Sequence, residues 1–212
     1  MSPESPDFEP RAVELLVSRI CHDLVSPVGA INNGVELIDE MGLGAGAEAL
    51  TLIADSAEAA ARRLRLFRFA FGAAGGQDGL DPAQARLTLE GWFRGGRVRI
   101  DWQADLPARP PRGLLKLLLI AALLADEALP AGGTVRVVRE GAGVSLQGTG
   151  RNAGLREETR AALAGEIAPA DLSPRSILGY AALRFGRLHA IRIVVMAENA
   201  DDIRISLVPA DV

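Results

Sequence analysis

The chain has 212 residues, 49% hydrophobic and 24% charged, a normal globular composition with length for one large or two small domains. Its formal net charge of -4 argues against a general nucleic-acid binder, which carries a basic face. Its single cysteine, Cys21, excludes an internal disulfide and fits a reducing compartment, and its longest apolar run, Leu117 to Ala125, is about half of what a membrane span needs.

Residues 1–10 contain Pro3, Pro6 and Pro10 and are expected to form a flexible lead-in. The stretch Met1-Ser-Pro-Glu-Ser-Pro-Asp7 is polar and acidic, unlike a secretory signal, so a cytoplasmic location is expected. From Arg11 to Met41 the pattern is helical, giving about 45 Å at 1.5 Å per residue. Val13, Val17, Ile20, Leu24, Ile31, Val35 and Ile38 form an apolar stripe down one side of this helix.

His22 falls between Ile20 and Leu24, roughly 180° from the stripe, and points to solvent. Ser18, Val25, Ser26, Gly29 and Asn33 share its face. They are small or short, where an ordinary wet face carries Lys, Glu and Arg. Pro27 lies inside the pattern, where its ring presses on the carbonyl of Asp23 and bends the helix just below His22. Because the stripe keeps phase past Pro27, one kinked helix is expected.

Gly42-Leu-Gly-Ala-Gly46 reads as a turn. A second helix then runs from about Ala47 to Phe71, with Leu50, Ile53, Ala57, Ala60, Leu64, Phe67 and Phe71 in the heptad rhythm of a bundle seam. Residues 11–72 are thus expected to form an antiparallel hairpin. Leu52, Leu66 and Phe69 add to the apolar surface that a lone hairpin leaves wet, so pairing two hairpins into a four-helix bundle predicts a homodimer. The alternative is that the rest of the chain covers the hairpin.

Gly72 to Gly79 is the clearest linker stretch, residues 73–80 are expected to link two domains, and residues 81–212 follow a different pattern. Asp81 with Pro82 reads as the N-cap of a helix to about Phe93, and Arg97 to Gln103 alternates as a half-buried strand. After the proline-rich Pro107 to Pro111 comes the most apolar helix, Leu114 to Leu129. Thr134 to Glu140 and Val144 to Gln147 form an expected strand hairpin. A helix over Leu155 to Ala164, another from Ser173-Pro174 to Leu188, and strands over Ile191 to Met196 and Ile203 to Val208 complete an α+β layer.

The segment His22-Asp-Leu-Val-Ser-Pro27, within a helical hairpin, resembles the dimerisation and phosphotransfer domain of sensor histidine kinases. In that domain a phosphoacceptor histidine is followed by an acidic residue and, five positions on, a proline. The second half resembles the ATP-binding domain of the same kinases in its order of elements, which implies an α/β sandwich. Leu129-Pro-Ala-Gly-Gly-Thr-Val-Arg-Val137 looks like the turn after the helix that carries the kinase asparagine box. By that alignment the two asparagine positions are Ile120 and Leu124. The aspartate position of the Asp-x-Gly-x-Gly box is Leu146, ahead of Gly148 and Gly150. The acid for adenine and the oxygens that would hold Mg²⁺ are missing, and Leu178-Gly179-Tyr180 is at best a remnant of the lid. No ATP binding is expected.

An intact phosphotransfer hairpin beside a degenerate nucleotide domain resembles the ChpT family of alphaproteobacterial histidine phosphotransferases. The resemblance implies a dimeric cytoplasmic relay. Phosphate would arrive from the receiver domain of a hybrid histidine kinase, rest on His22, and pass to response regulators, with Mg²⁺ supplied by the receiver. Asp23 is a candidate to orient or support the imidazole. Ser18, Val25, Ser26, Gly29 and Asn33, with Arg65 and Arg68 from the second helix, are candidate receiver contacts. An active histidine kinase and a non-enzymatic dimeric adaptor that docks a receiver are the rival readings. His189 reads as a helix C-cap and Cys21 as a small packing residue. Neither nucleic acid, membrane nor a metal site is expected.

Overall fold

The computed structural model describes residues 9–41, 46–73, 80–197 and 199–210. Helix α1 (Pro10–Met41) is continuous through Pro27, and α2 (Gly46–Ala70) returns beside it. Pro10, expected in the lead-in, instead opens α1, where a proline's missing N–H costs nothing. Most of the expected turn (42–45) and linker (74–79), and residues 1–8, lie outside the described residues.

The two helices run antiparallel, with Gly34 against Ala49 and Ile53 at one level and Asp23 against Arg63 at another. A Cβ on Gly34 would lie 2.6 Å from Ile53 Cγ1, so glycine sets how closely the backbones approach.

The second half follows the expected order closely. Asp81 caps α3 (Pro82–Phe93), its carboxylate accepting from Gln84 N–H at 2.7 Å. Then come β1 (Val98–Trp102), α4 (Leu114–Glu127), β2 (Gly133–Glu140), β3 (Gly143–Thr149), α5 (Glu157–Ala164), α6 (Ile177–Leu188), β4 (Ile191–Ala197) and β5 (Asp202–Pro209). A short 3-10 turn at Pro169–Asp171 has no counterpart in the expected pattern.

Helix α6 also starts later than Ser173. The Ser173 hydroxyl accepts from Arg175 N–H at 3.2 Å and from Ser176 N–H at 3.3 Å, which holds that stretch in a turn. The strand order is β1-β2-β3-β5-β4, parallel only between β1 and β2, which α4 connects by a crossover. Helices α3, α4 and α6 cover one face of the sheet, so the second half is an α/β sandwich. Every residue from Leu114 to Ala125 is buried. Among the described residues no helix is long and apolar enough to cross a membrane.

The core does not stop at the hairpin. Leu66, Phe67, Phe69 and Ala70 of α2 join one cluster with α3, α4 and the sheet. Ala12, Leu15 and Leu16 of α1 join a second with Ala162, Leu172, Ile177, Tyr180 and Ala181. Leu66 and Phe69, counted from sequence as wet surplus, are therefore covered by the second half of the same chain; Leu52 is not. Where the halves meet, Lys116 Nζ donates to the Gly72 carbonyl at 2.8 Å and lies 4.7 Å from the Phe185 ring centroid. Burial lowers its pKa to about 8.

The apolar stripe of α1 has a different fate. Val13, Val17 and Val35 are 47%, 53% and 47% exposed. The buried side of α1 instead carries Ala12, Leu16, Pro27 and Gly34, roughly 70° round the helix. On α2, Leu50 and Leu64 of the expected seam are likewise exposed. The hairpin thus leaves the valines of the stripe uncovered, while Ile20, Leu24, Ile31 and Ile38 of the same stripe are half-buried and Ile20 packs against the main core.

Candidate functional site

His22 stands on the middle of α1 with its side chain 88% exposed. Its Nδ1 lies 3.2 Å from Asp23 Oδ1. An ionised carboxylate only accepts, so this contact is a hydrogen bond when Nδ1 carries the proton, and that tautomer leaves the lone pair on Nε2. Asp23 itself is largely covered, at 22% side-chain exposure. The roughly 100° between neighbours on a helix would separate the two groups, but the short Asp side chain turns to meet the ring.

Around the imidazole, Ser18, Val25, Ser26 and Asn33 are exposed and Gly29 is half-buried. A Cβ on Gly29 would meet nothing within 4 Å, so the space beside it is open. Cys21 is also exposed, which corrects its reading as a packing residue.

Arg65 and Arg68 are exposed, the latter with its guanidinium 4.8 Å from the Phe69 ring centroid. They lie roughly 140–160° around α2 from the arginine that reaches α1. That residue is Arg63, whose Nη1 donates to the main-chain carbonyl of Asp23. Its role depends on the pairing of the helices, which no local spacing encodes.

The second half approaches the same turn of α1. Arg19 Nη1 meets Glu127 Oε1 at 2.6 Å, with both side chains mostly covered, so the end of α4 is tied one helical turn before His22. The next residue back, Asp126, accepts from Trp92 Nε1 at 3.2 Å. Burial raises the Asp126 pKa and the Asp23 charge adds to this, while the Trp92 hydrogen bond, Arg97 and Arg19 oppose it. Trp92, Phe93, Arg97 and Asp126 line a cleft of about 360 Å³ whose other wall is Arg63. Among the described residues no three His, Cys, Asp or Glu side chains gather as a metal set.

Ile120, Leu124 and Leu146 are each 0% exposed and belong to the central core. The glycines that followed the kinase spacing have packing duties. A Cβ on Gly150 would collide with the Gly132 carbonyl, and one on Gly148 would lie 3.0 Å from Ile203 Cγ2. Gly179 sits in the first turn of α6 against the Thr159 carbonyl of α5, so the supposed lid remnant is a helix contact. His189 does cap α6, through its backbone N–H to the Phe185 carbonyl at 3.1 Å. Its ring packs on Gly113, and burial with the charges of Arg112 and Lys116 lowers its pKa.

A family model described as the histidine phosphotransferase C-terminal domain matches residues 82–201. The protein phosphotransferase ChpT of Brucella abortus (strain 2308) is 44% identical over 128 residues, which are 60% of this chain and 60% of that relative. A solved bacterial phosphotransferase structure is 33% identical, covers 92% of this chain with 95% of its own, and superposes with a TM-score of 0.77.

Proposed function

The chain belongs to the histidine phosphotransferase family, and from that premise we propose that it relays a phosphoryl group between receiver-domain aspartates through His22. The observation that carries the assignment to His22 is an 88%-exposed imidazole with Nδ1 held by Asp23 and, among the described residues, no hydrogen-bond partner at Nε2. Nε2 attacks the phosphorus of an aspartyl phosphate. The N–P bond forms as the P–O bond to the receiver breaks, and the electron pair leaves with the receiver's carboxylate. The proton stays on Nδ1, so the phosphorylated ring is cationic and Asp23 faces that charge. The divalent ion that neutralises the transferring oxygens belongs to the receiver. Reversal of the same step onto a second receiver returns Nε2 to its starting state.

On this reading residues 11–72 carry the chemistry and residues 81–212 buttress them. Ser18, Val25, Ser26, Gly29 and Asn33 offer a face without long charged side chains against which a receiver packs, with Arg65 and Arg68 at its margin. The aliphatic filling of Ile120, Leu124 and Leu146 favours a phosphotransferase over an active kinase, since no group there can hold adenine or phosphate-bound Mg²⁺. The relay would act in the cytoplasm.

The test is to mix the protein with a receiver phosphorylated on aspartate. Acid-labile label is expected to move to this chain, and none is expected from ATP with Mg²⁺ alone. Label from ATP would establish the kinase, and tight receiver binding without any transfer would establish an adaptor.

Its oligomeric state is read from the uncovered stripe. Val13, Val17 and Val35 of α1 with Leu50 and Leu64 of α2 form the apolar face that a second hairpin would cover, giving a homodimeric four-helix bundle. Sedimentation of the full chain at micromolar concentration is expected to give a dimer, and Leu64→Glu a monomer. A wild-type monomer would reject the pairing.

A further inference from the structure

Pro27 has no N–H, so the carbonyl of Asp23, four residues back, loses the donor that every regular turn of a helix supplies. That carbonyl belongs to the residue whose side chain holds His22 Nδ1. It also lies on the side of α1 that faces α2, where Pro27 is buried and Asp23 is largely covered. A carbonyl left bare in such a place would be costly, and here Arg63 Nη1 fills the position of the missing amide. A guanidinium does more than replace it, because its hydrogen bond is charge-assisted and its fork is planar and stiff. Arg63 also walls the cleft lined by Trp92, Arg97 and Asp126, so the same residue ties α2 to α1 and faces the second half at the level of the phosphoacceptor.

We propose that Arg63 is a positioning residue for phosphotransfer: by taking the Asp23 carbonyl that Pro27 orphans, it fixes the backbone of α1 at that turn and with it the aim of the His22–Asp23 pair. The proposal deepens the phosphotransfer reading and rests on it. Arg63 does not touch the transferring group. It acts on the main chain one residue from the nucleophile, where a shift of a fraction of an ångström moves Nε2 off the line of attack.

Pro27 makes the idea separable from a general packing role. Pro27→Ala restores an amide N–H that can satisfy the Asp23 carbonyl within α1. The experiment is a double-mutant cycle on the full chain: wild type, Pro27→Ala, Arg63→Ala and the double variant, with Arg63→Lys as the conservative replacement. Each is given a phosphorylated receiver at increasing concentration, and melting temperature is followed alongside.

Arg63→Ala is expected to slow transfer about tenfold at saturating receiver with the half-saturating concentration unchanged, the size of effect that misplacement of a reacting group produces. Arg63→Lys, which keeps a charged donor of similar reach, should recover most of the rate. In the Pro27→Ala background, removal of Arg63 should change the rate less than about twofold, the non-additivity expected of two groups that serve one carbonyl. Equal losses in both backgrounds would overturn the proposal, as would a loss confined to half-saturation or one that merely follows the melting temperature. If Arg63→Ala does not fold, Arg63→Gln takes its place and the same comparison decides. A wild type that takes no label would instead sink the phosphotransfer reading, so the two failures are distinct.

Discussion

His22→Ala is expected to take up no phosphoryl group from a phosphorylated receiver, with label at background even after long incubation, while its melting temperature stays at the wild-type value. The two halves of that result have different origins. Loss of transfer is complete because no other nucleophile stands in for the imidazole. His189 caps α6 with its ring packed on Gly113, and Cys21 points to another side of α1.

The unchanged stability follows from the surface. A side chain 88% exposed, with one hydrogen bond to its neighbour, gives up almost no burial when removed, and such substitutions fall within about 0.5 kcal/mol. Receiver binding should survive too, since the proposed docking face of Ser18, Val25, Ser26, Gly29 and Asn33 is left intact. Residual label on the alanine variant would place the acceptor elsewhere. A large drop in melting temperature would mean that His22 is structural.

How much of this could be read in the sequence depends on whether the determinant is local. The exposure of His22 could, because a 3.6-residue period places any residue relative to a stripe on its own helix. The filling of the nucleotide positions could as well, because Ile120, Leu124 and Leu146 are apolar whatever surrounds them. The inner face of the hairpin could not. Its close approach is made by Gly34 against Ala49 and Ile53, and residues as small as glycine and alanine carry little apolar signal.

Periodicity therefore found the stripe of Val13, Val17 and Val35 and offered it as the packing face, although within one chain it is the face left open. Arg63 was beyond reach for a related reason. Its partner is a carbonyl 40 residues away, and only the pairing of α1 with α2 tells Arg63 apart from Arg62, Arg65 and Arg68. The junction between the halves was also hidden. Glycines from 72 to 79 read as a linker, yet Leu66, Phe67 and Phe69 share a core with α3 and α4, and Arg19 pairs with Glu127 across the junction. A second half anchored in this way presents α4 to the turn of α1 that carries His22 in a fixed attitude.

That anchoring bears on the strongest stability effect expected in the molecule, from Ile120→Asn combined with Leu124→Asn, which writes the kinase asparagines back. In a domain with a vacant nucleotide site the pair would face a cavity and be tolerated. Here both side chains are 0% exposed, on the helix around which α2, α3, α6 and the sheet all pack. Each exchange forfeits roughly 1.5–3 kcal/mol of apolar burial. Each also leaves an amide among aliphatic groups, at about 1–3 kcal/mol more.

Together they come to about 5–12 kcal/mol, comparable with the roughly 5–15 kcal/mol that stabilises a typical domain, so the double variant is expected to lose its cooperative melting transition near room temperature. It should show no binding of ATP with Mg²⁺, because two amides do not open a cavity that Leu146 and its neighbours still fill. Because Leu66 to Ala70 lie in the same core, the end of α2 should lose its packing with it, and phosphotransfer through the otherwise untouched His22 should fall as well. A double variant that melts like wild type and binds nucleotide would show that α4 retains a latent site, and would return the active-kinase reading to contention.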